Sequence, residues 1–296
     1  MKNELFKKIP AVNDILENSK CKKLIDRYNH DLVLNMIRTV LDNKREIIAK
    51  TDTEKLKENN IDLSIDNLIV EIENSIYIYL KPNLEKVINA TGTVVHTNLG
   101  RSLLSEDAVK SLINVAENYS TLEINKKTGE RGSRYDNVSQ FLKELTKAES
   151  ALVVNNNAAA VLLILDTFAK DKEVILSRGE MVEVGGSFRI PDVMEKSGAK
   201  LIEVGATNKV YIEDYENKIN DNTGMLLKVH TSNYRVMGFT QEVKLNELVE
   251  LGKKYDLPVV EDLGSGIIND LSDLGLKDEP TVADKIEQGA DLVSFS

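Results

Sequence analysis

The chain changes character at residues 81–83, and this change limits the folds open to it. From residue 9 to about residue 80, apolar side chains recur near helical spacing and glycine and proline are rare, which predicts a small helical domain. From Val87 onward, apolar runs of strand length alternate with amphipathic helical stretches. That alternation is typical of an α/β fold, a mostly parallel sheet with helices on both faces. We therefore predict two domains, residues 1–82 and 83–296.

The apolar runs of the second part give specific strand and helix predictions. We expect strands at residues 151–154, 173–177, 200–204, 224–230, 257–261 and 292–295. One helix should follow residues 155–157 and end at about residue 168. Further helices should occupy residues 191–196, 214–219 and 245–255. Pro191 suits a first helical turn and Gly198 suits the position just beyond a helix end, so these two residues bound one helix.

Composition excludes several classes of protein. A chain of 296 residues with 42% hydrophobic content can bury a substantial core, which argues against overall disorder. Its single cysteine, Cys21, can form neither an internal disulfide nor a thiolate metal cluster, so we predict a cytoplasmic protein without a metal. We expect no signal peptide and no membrane span, because the longest apolar run, residues 158–165, is far too short to cross a bilayer.

The charge distribution is uneven. The net charge is −10, yet residues 1–50 carry 11 Lys or Arg against 7 Asp or Glu. The densest basic cluster consists of Lys20, Lys22, Lys23 and Arg27. Charge alone favours a solvated helical face here, with a nucleic-acid contact as the alternative, because phosphate binding needs clustered basic side chains.

Asn156, Asn157 and Ala158 lie where a predicted strand turns into a helix. The free backbone N–H groups of a helix N-terminus and its dipole favour a bound phosphate, and small side chains allow the anion to approach closely. The simpler interpretation is an ordinary asparagine N-cap on a buried helix.

The run PVVEDLGSG, residues 258–266, places two acids at the end of a buried strand. Ligands of open parallel sheets bind at the carboxyl ends of the strands, so an acid there is a candidate ligand contact. Capping of the following turn is the alternative. Because side chains alternate along a strand, Glu261 should face away from Asp262.

Two further segments offer polar side chains. The run KVHTSNYR, residues 228–235, is a strand that enters a polar loop, where His230, Ser232 and Asn233 are either ligand contacts or satisfied loop residues. Arg101, Arg131 and Arg134 lie among glycines. Their guanidinium groups could bind an oxyanion, although surface salt bridges are the commoner use of such residues.

Several of these segments resemble one protein family. The run VINATGTVVHTNLGR, residues 87–101, together with the runs above, resembles bacterial L-seryl-tRNA(Sec) selenium transferase, also called selenocysteine synthase. The resemblance implies the fold of aspartate-aminotransferase-like pyridoxal phosphate enzymes (fold type I), a tRNA-contacting N-terminal helical domain, and a homo-oligomeric ring of dimers. The strongest matches are at residues 87–105, 177–208, 226–240, 258–266 and 291–296.

The resemblance also implies roles for the candidate residues. Residues 156–158 would bind the phosphate of pyridoxal 5'-phosphate, and Asp262 would pair with its pyridinium nitrogen. Ser232 or Asn233 would hydrogen-bond its phenolic oxygen, and His230 would stack on or orient it. Selenophosphate would bind at arginines, with Arg101 the first choice as a catalytic residue and Arg131 and Arg134 as further candidates. Residues 20, 22, 23 and 27 would contact tRNA(Sec) carrying serine.

The implied reaction converts seryl-tRNA(Sec) to selenocysteinyl-tRNA(Sec) through an aldimine and a dehydroalanyl-tRNA. In the family, the cofactor-binding lysine comes just after a Ser-Phe-Ser like that of residues 294–296, where this sequence stops. We therefore expect the chain alone to be inactive. In the family, the small C-terminal domain and the last sheet strands also follow this point, so we expect an open strand edge and a chain that alone is poorly soluble or misfolded. A soluble, cooperatively melting 1–296 would contradict this. The alternatives are a pyridoxal phosphate lyase of a small amino compound and a catalytically silent fragment that binds tRNA or forms oligomers.

Overall fold

The computed structural model describes residues 2–52, 56, 61–184, 188–275 and 279–296. These residues group into two compact units, Met1–Glu106 and Asp107–Ser296. Each unit has its own hydrophobic core.

Helices build the first unit. They are α1 (Lys2–Lys8), α2 (Val12–Leu16), α3 (Ser19–Arg27), α4 (His30–Lys50) and α5 (Ile65–Leu80). Polar N-caps begin three of them, since the side chains of Asn18, Asn29 and Ser64 accept backbone N–H groups of the first turn. The helical prediction for this region is confirmed, although residues 53–55 and 57–60 lie outside the described part of the chain.

The core of this unit lies where α4 packs against α5. Apolar residues recur every three or four positions on both helices, which gives each helix one apolar face. The buried side chains are Val33, Ile37, Val40 and Leu41 on α4 and Leu68, Ile69, Ile72 and Ile76 on α5. After α5 the chain has no helix or strand until a short 3-10 turn at Thr97–Leu99.

A five-stranded sheet forms the centre of the second unit. In spatial order its strands are β4 (Lys200–Val204), β1 (Glu173–Ser177), β5 (Thr223–Val229), β6 (Val259–Gly264) and β7 (Leu292–Phe295). All four neighbouring pairs are parallel. The strands β2 (Glu183–Val184) and β3 (Phe188–Arg189) form a separate antiparallel hairpin. The predicted mostly parallel sheet is therefore confirmed.

Helices cover both faces of the sheet. The helices of this unit are α6 (Glu106–Ala116), α7 (Asp136–Thr146), α8 (Asn157–Phe168), α9 (Ile190–Ser197), α10 (Ile212–Glu216), α11 (Leu245–Tyr255) and α12 (Val282–Glu287). Side chains of α8 and α9 pack with Leu176, Leu227 and Val260 on one face. Side chains of α10 and α11 pack with Ile175, Leu226 and Val259 on the other. This alternation follows from the two-residue period of a strand.

One strand prediction is wrong. Residues 151–154 form no strand, and Leu152 and Val153 are 55% and 48% exposed. A strand needs a neighbour for its N–H and C=O groups, and no strand among the described residues pairs with this segment. Smaller corrections are that β6 begins at Val259 rather than Leu257 and that α10 ends at Glu216 rather than near Ile219.

Helix α9 agrees closely with its prediction. Pro191 lies in its first turn, and Gly198 ends it with a φ of 80°, a left-handed conformation that glycine adopts without strain. Of the described residues, no helix combines the length and the apolar content that a membrane span requires.

Candidate functional site

Asp262 lies near the carboxyl end of β6 and is 3% exposed. Its Oδ1 atom accepts three hydrogen bonds. The donors are Asn157 Nδ2 at 2.7 Å, Ser294 Oγ at 3.0 Å and the backbone N–H of Gly264 at 3.0 Å. Asp262 is thus a buried carboxylate held by three neutral donors from separate elements, α8, β7 and the end of its own strand.

The sheet register explains why these groups meet. Asp262 pairs with Val229 of β5 on one side and with Ser294 of β7 on the other. Residues that are paired across parallel strands point to the same face of a sheet, so the Ser294 hydroxyl lies beside the Asp262 carboxylate. Glu261 faces the opposite way, as predicted, and lies beside Lys285.

The start of α8 lies next to this carboxylate. Asn156 is the N-cap, and its Oδ1 accepts the N–H of Ala159 at 2.9 Å. Within the described ranges, the N–H groups of Asn157 and Ala158 have no acceptor. The Oδ1 atom of Asn157 is buried and receives no hydrogen bond from these residues. The turn therefore serves as an N-cap and also leaves free donors at a helix N-terminus.

The side chains of the polar loop after β5 contact different parts of the structure. His230 lines a cavity of about 250 Å³ on the Glu261 side of the sheet, and its Nε2 lies 3.4 Å from Glu279 Oε2. The expected stacking role of His230 therefore conflicts with its position, because strand alternation turns its side chain away from the Asp262 carboxylate. Asn233 Nδ2 donates to the carbonyl of Glu183 at 3.0 Å.

The Ser232 side chain lies near the end of β6. Its Oγ lies 3.9 Å from the position that a Cβ atom would occupy on Gly264. Tyr234 ties the same loop to the preceding connection, because its hydroxyl donates to the carbonyl of Gly179. Residues 185–187, within the run 177–208 that resembles the family, lie outside the described residues.

Sequence reasoning missed a cluster of buried charges on the Glu261 side of the sheet. Lys228 Nζ donates to Glu180 Oε1 at 2.9 Å, and Glu180 Oε2 accepts the backbone N–H of Val229 at 3.0 Å. Lys285 Nζ lies 2.8 Å from Oε1 of Glu261, which is 1% exposed. Neither carboxylate oxygen of Glu261 receives a well-directed hydrogen bond from the described residues, so the contact with Lys285 is an ion pair only.

Both ammonium groups are engaged by buried carboxylates, and Lys228 in particular is unsuited to act as a free amine. Burial lowers the pKa of Lys228, but the hydrogen bond to Glu180 and the charges of Glu180, Glu261 and Glu242 together raise this pKa above its ordinary value. The Lys285 side chain is only 12% exposed and is paired with Glu261. An amine that stays protonated is a poor nucleophile.

Arg131 and Arg134 converge on one carboxylate. Arg131 Nη2 donates to Glu123 Oε2 at 3.0 Å, and Arg134 Nε donates to Glu123 Oε1 at 2.9 Å. Hydrogen bonds and charge attraction from Arg134, followed by Arg131, lower the pKa of Glu123. Two guanidinium groups share one carboxylate, so the pair keeps a net positive charge on a largely exposed surface.

Arg101 belongs to the first unit. It follows the 3-10 turn Thr97–Leu99 and Gly100, and its φ is 62°. Its backbone N–H donates to the carbonyl of His96 at 3.1 Å. A left-handed conformation is uncommon for arginine, and two successive left-handed residues make this a sharply defined turn.

The basic cluster of α3 is partly neutralised. Lys20 forms an ion pair with Asp66 at 2.7 Å, and Arg27 lies 3.9 Å from Glu73 and stacks over Tyr28. Both acids are on α5. For Lys22 and Lys23, no acidic partner occurs within the described residues, so these two lysines carry the unpaired charge.

Two family models match most of this chain. The family model for L-seryl-tRNA selenium transferase matches residues 87–296, and the model for the N-terminal part of selenocysteine synthase matches residues 6–45. L-seryl-tRNA(Sec) selenium transferases from Alkaliphilus oremlandii and Alkaliphilus metalliredigens are 50% and 51% identical over 295 residues. A relative of the same name from Clostridium botulinum is 48% identical over 296 residues.

The matches cover 100% of this chain but only 62–63% of each relative. Among solved structures, D-glucosaminate-6-phosphate ammonia-lyase is similar with a TM-score of 0.52 at 18% identity, over 67% of this chain and 51% of that one. That likeness shows the fold, the type I fold of pyridoxal phosphate enzymes. Because a family model matches well over half of the chain, the chain belongs to the L-seryl-tRNA selenium transferase family.

Proposed function

We propose that the protein of which this chain is part converts seryl-tRNA(Sec) to selenocysteinyl-tRNA(Sec), with selenophosphate as the selenium donor and pyridoxal 5'-phosphate as cofactor. The observation that carries the proposal is the buried Asp262 carboxylate beside the N-terminus of α8, within a region that matches the family throughout. A tRNA substrate would place the activity in the cytoplasm.

The residues present fit this cofactor, which has a phosphate group and a pyridine nitrogen. The free N–H groups of Asn157 and Ala158 suit a phosphate at a helix N-terminus. The Asp262 carboxylate suits a protonated pyridine nitrogen because its three partners are neutral and leave its negative charge uncompensated. When bound, the cofactor withdraws electrons from the α-carbon of the seryl group.

Protein side chains would bind the other groups of the cofactor and the selenium donor. Asp262 would bind the protonated ring nitrogen, and the free N–H groups at the start of α8 would bind the phosphate. Ser232 is the supported candidate for the phenolic oxygen, because its side chain lies near Gly264 at the end of β6, whereas those of His230 and Asn233 have other neighbours. We assign selenophosphate to the net positive pair Arg131 and Arg134, with Arg101 as the further candidate.

We also propose that α3 contacts the tRNA. The two lysines without an acidic partner, Lys22 and Lys23, are the residues available for phosphate groups, whereas Lys20 and Arg27 are engaged by α5. Replacing Lys22 and Lys23 by glutamate should weaken tRNA binding and flatten its salt dependence by about one unit of log–log slope per lost phosphate contact. Lys253→Glu, an exposed charge change on α11, is the matched control.

A homo-oligomer, a ring of dimers, is part of the same proposal. Helix α6 is amphipathic, yet none of its residues is buried, and its apolar residues Val109, Leu112 and Ile113 are 40–60% exposed. An uncovered apolar helix face supports a further packing partner. Light scattering on the protein produced from its native gene should give a mass that is a multiple of the chain mass.

The decisive experiment uses the protein produced from its native gene, with seryl-tRNA(Sec), selenophosphate and pyridoxal phosphate. We expect selenocysteinyl-tRNA(Sec) as the product. Release of ammonia from a small amino compound instead, with no change of the tRNA, would favour a lyase. Tight tRNA binding without any cofactor absorbance would favour a catalytically silent binding protein, and either result would refute the proposed function.

A further inference from the structure

The three hydrogen bonds to Asp262 all reach the same oxygen. Asn157 Nδ2, Ser294 Oγ and the Gly264 N–H donate to Oδ1, and Oδ2 receives no hydrogen bond from the residues that the structure describes. A carboxylate offers about two lone-pair sites on each oxygen. Oδ1 is therefore saturated, and a further donor has to approach Oδ2.

We propose that Asn157 and Ser294 are positioning residues that fix the Asp262 carboxylate so that Oδ2 alone meets the cofactor's ring nitrogen. This inference rests on the proposed function, because it requires that pyridoxal phosphate binds. It differs from the sequence-based role of Asn157, a phosphate contact, by assigning the Asn157 side chain to Asp262 and leaving the phosphate to backbone N–H groups.

Both residues are held by elements that cannot easily shift. Ser294 is 3% exposed, and the register of β7 on β6 sets it opposite Asp262. Asn157 is the first residue of α8, directly after the Asn156 cap that fixes the helix start. Because a helix and a strand approach the carboxylate independently, rotation of Asp262 about its side-chain bonds would break hydrogen bonds to both.

The donors also fix how the Asp262 carboxylate would meet its ligand. An ionised carboxylate only accepts hydrogen bonds, so Ser294 must donate its hydroxyl proton. Without Ser294 or Asn157, the Asp262 carboxylate should hold its orientation less well, so that Oδ2 meets the ring nitrogen less directly.

The test uses the apo form of the protein produced from its native gene and pyridoxal phosphate labelled with ¹⁵N in the ring. The variants are Ser294→Ala, Asn157→Ala and the conservative Ser294→Thr, which keeps the hydroxyl. The control is Ser197→Ala, which removes an equally buried hydroxyl that donates to the carbonyl of Met194, away from Asp262. The readouts are the Kd of the cofactor, from fluorescence titration, and the ¹⁵N chemical shift.

We expect Ser294→Ala and Asn157→Ala each to weaken cofactor binding by about tenfold, the loss typical of one hydrogen bond to a charged group. We also expect the ¹⁵N shift to move toward that of unprotonated pyridine. Ser294→Thr should restore both, and Ser197→Ala should change neither. Unchanged Kd and ¹⁵N shift in folded Ser294→Ala and Asn157→Ala would overturn the inference, whereas failure of the unsubstituted protein to bind the cofactor would instead refute the proposed function.

Discussion

Asp262 and Glu261 are neighbours on one strand, equally buried, and yet they have opposite surroundings. The donors to Asp262 are an amide, a hydroxyl and a backbone N–H, all neutral. The partner of Glu261 is the ammonium group of Lys285. Neutral donors orient a carboxylate and leave its charge available for a cationic ligand, whereas an ion pair cancels that charge within the protein. The comparison separates the carboxylate that we propose binds the cofactor from a structural one.

The neighbours of Glu261 follow the same structural pattern. Glu180 is 7% exposed and pairs with Lys228, whose ammonium group also donates to the carbonyl of Val243 at 2.9 Å. The carboxylates therefore have internal cations, and the lysines have internal acceptors. We infer that the Glu261 side stabilises the sheet and the loop after β5, in contrast to the Asp262 side, where we propose that the cofactor binds.

The largest expected effect is on the Glu261 side. Glu180→Ala removes the acceptor of Lys228 and of the Val229 N–H and leaves a buried ammonium group without its closest anion. Loss of one partner of a buried pair typically costs about 3–5 kcal/mol, and we expect a decrease of that size in the free energy of unfolding, measured by urea denaturation of the protein produced from its native gene.

The control for that experiment is Glu183→Ala, which removes an exposed partner of Arg189. Its effect should stay within about 0.5 kcal/mol, as for most surface substitutions. Equal stability of Glu180→Ala and Glu183→Ala would contradict a structural role for the buried charges.

The second prediction compares removal of the charge of Asp262 with removal of the charge of Glu261. Asp262→Asn keeps the shape and an oxygen that can accept the three hydrogen bonds, but it removes the negative charge. We expect seryl-tRNA(Sec) conversion to fall by about 10²-fold, as for other groups that stabilise charge in an active site, with a stability change below about 1 kcal/mol. Glu261→Gln should do the opposite, lowering stability while leaving turnover near that of the unsubstituted protein. Loss of turnover in Glu261→Gln with retained stability would break the comparison.

Local periodicity was enough to predict several strands and the opposite orientations of Asp262 and Glu261. The alternation along residues 258–266 was enough to expect that Asp262 and Glu261 face opposite ways, and strands at 173–177, 200–204 and 292–295 follow from apolar runs alone. These features depend on residues that are close in sequence.

The partners of these two carboxylates depend on pairing between segments that are distant in sequence. Ser294 comes next to Asp262 only through the register of β7 on β6, and Lys285 reaches Glu261 only because α12 packs near β7. Residues 151–154 have a strand-like composition but no described neighbour to pair with. The position of His230 similarly follows from where β5 ends. None of these relations is encoded within a window of a few residues.

A third prediction uses pH to examine the Glu261 side. The pKa of Lys228 is higher in the folded protein than its ordinary value of about 10.4. Its ion pair therefore contributes stability that is fully present below about pH 10.4 and is lost as the pH rises through the folded pKa. The difference in unfolding free energy between the unsubstituted protein and Lys228→Met should narrow steadily above that pH. A constant difference across the alkaline range would show that Lys228 contributes through packing rather than charge.

The smallest expected effect comes from a neutral hydrogen bond on the Glu261 side. Tyr215 is fully buried, and its hydroxyl oxygen accepts the backbone N–H of Ser177 at 3.1 Å, at the end of β1. Tyr215→Phe keeps the ring and leaves this buried N–H without a partner, so we expect a loss of about 1 kcal/mol in the free energy of unfolding. Cofactor affinity should not change, because β1 reaches Asp262 only through β5. The matched control is Tyr255→Phe, which removes the hydroxyl of an exposed tyrosine that donates to Glu216 Oε1. A change of cofactor affinity in folded Tyr215→Phe would mean that the two faces of the sheet are coupled, and the division between a binding side and a structural side would then fail.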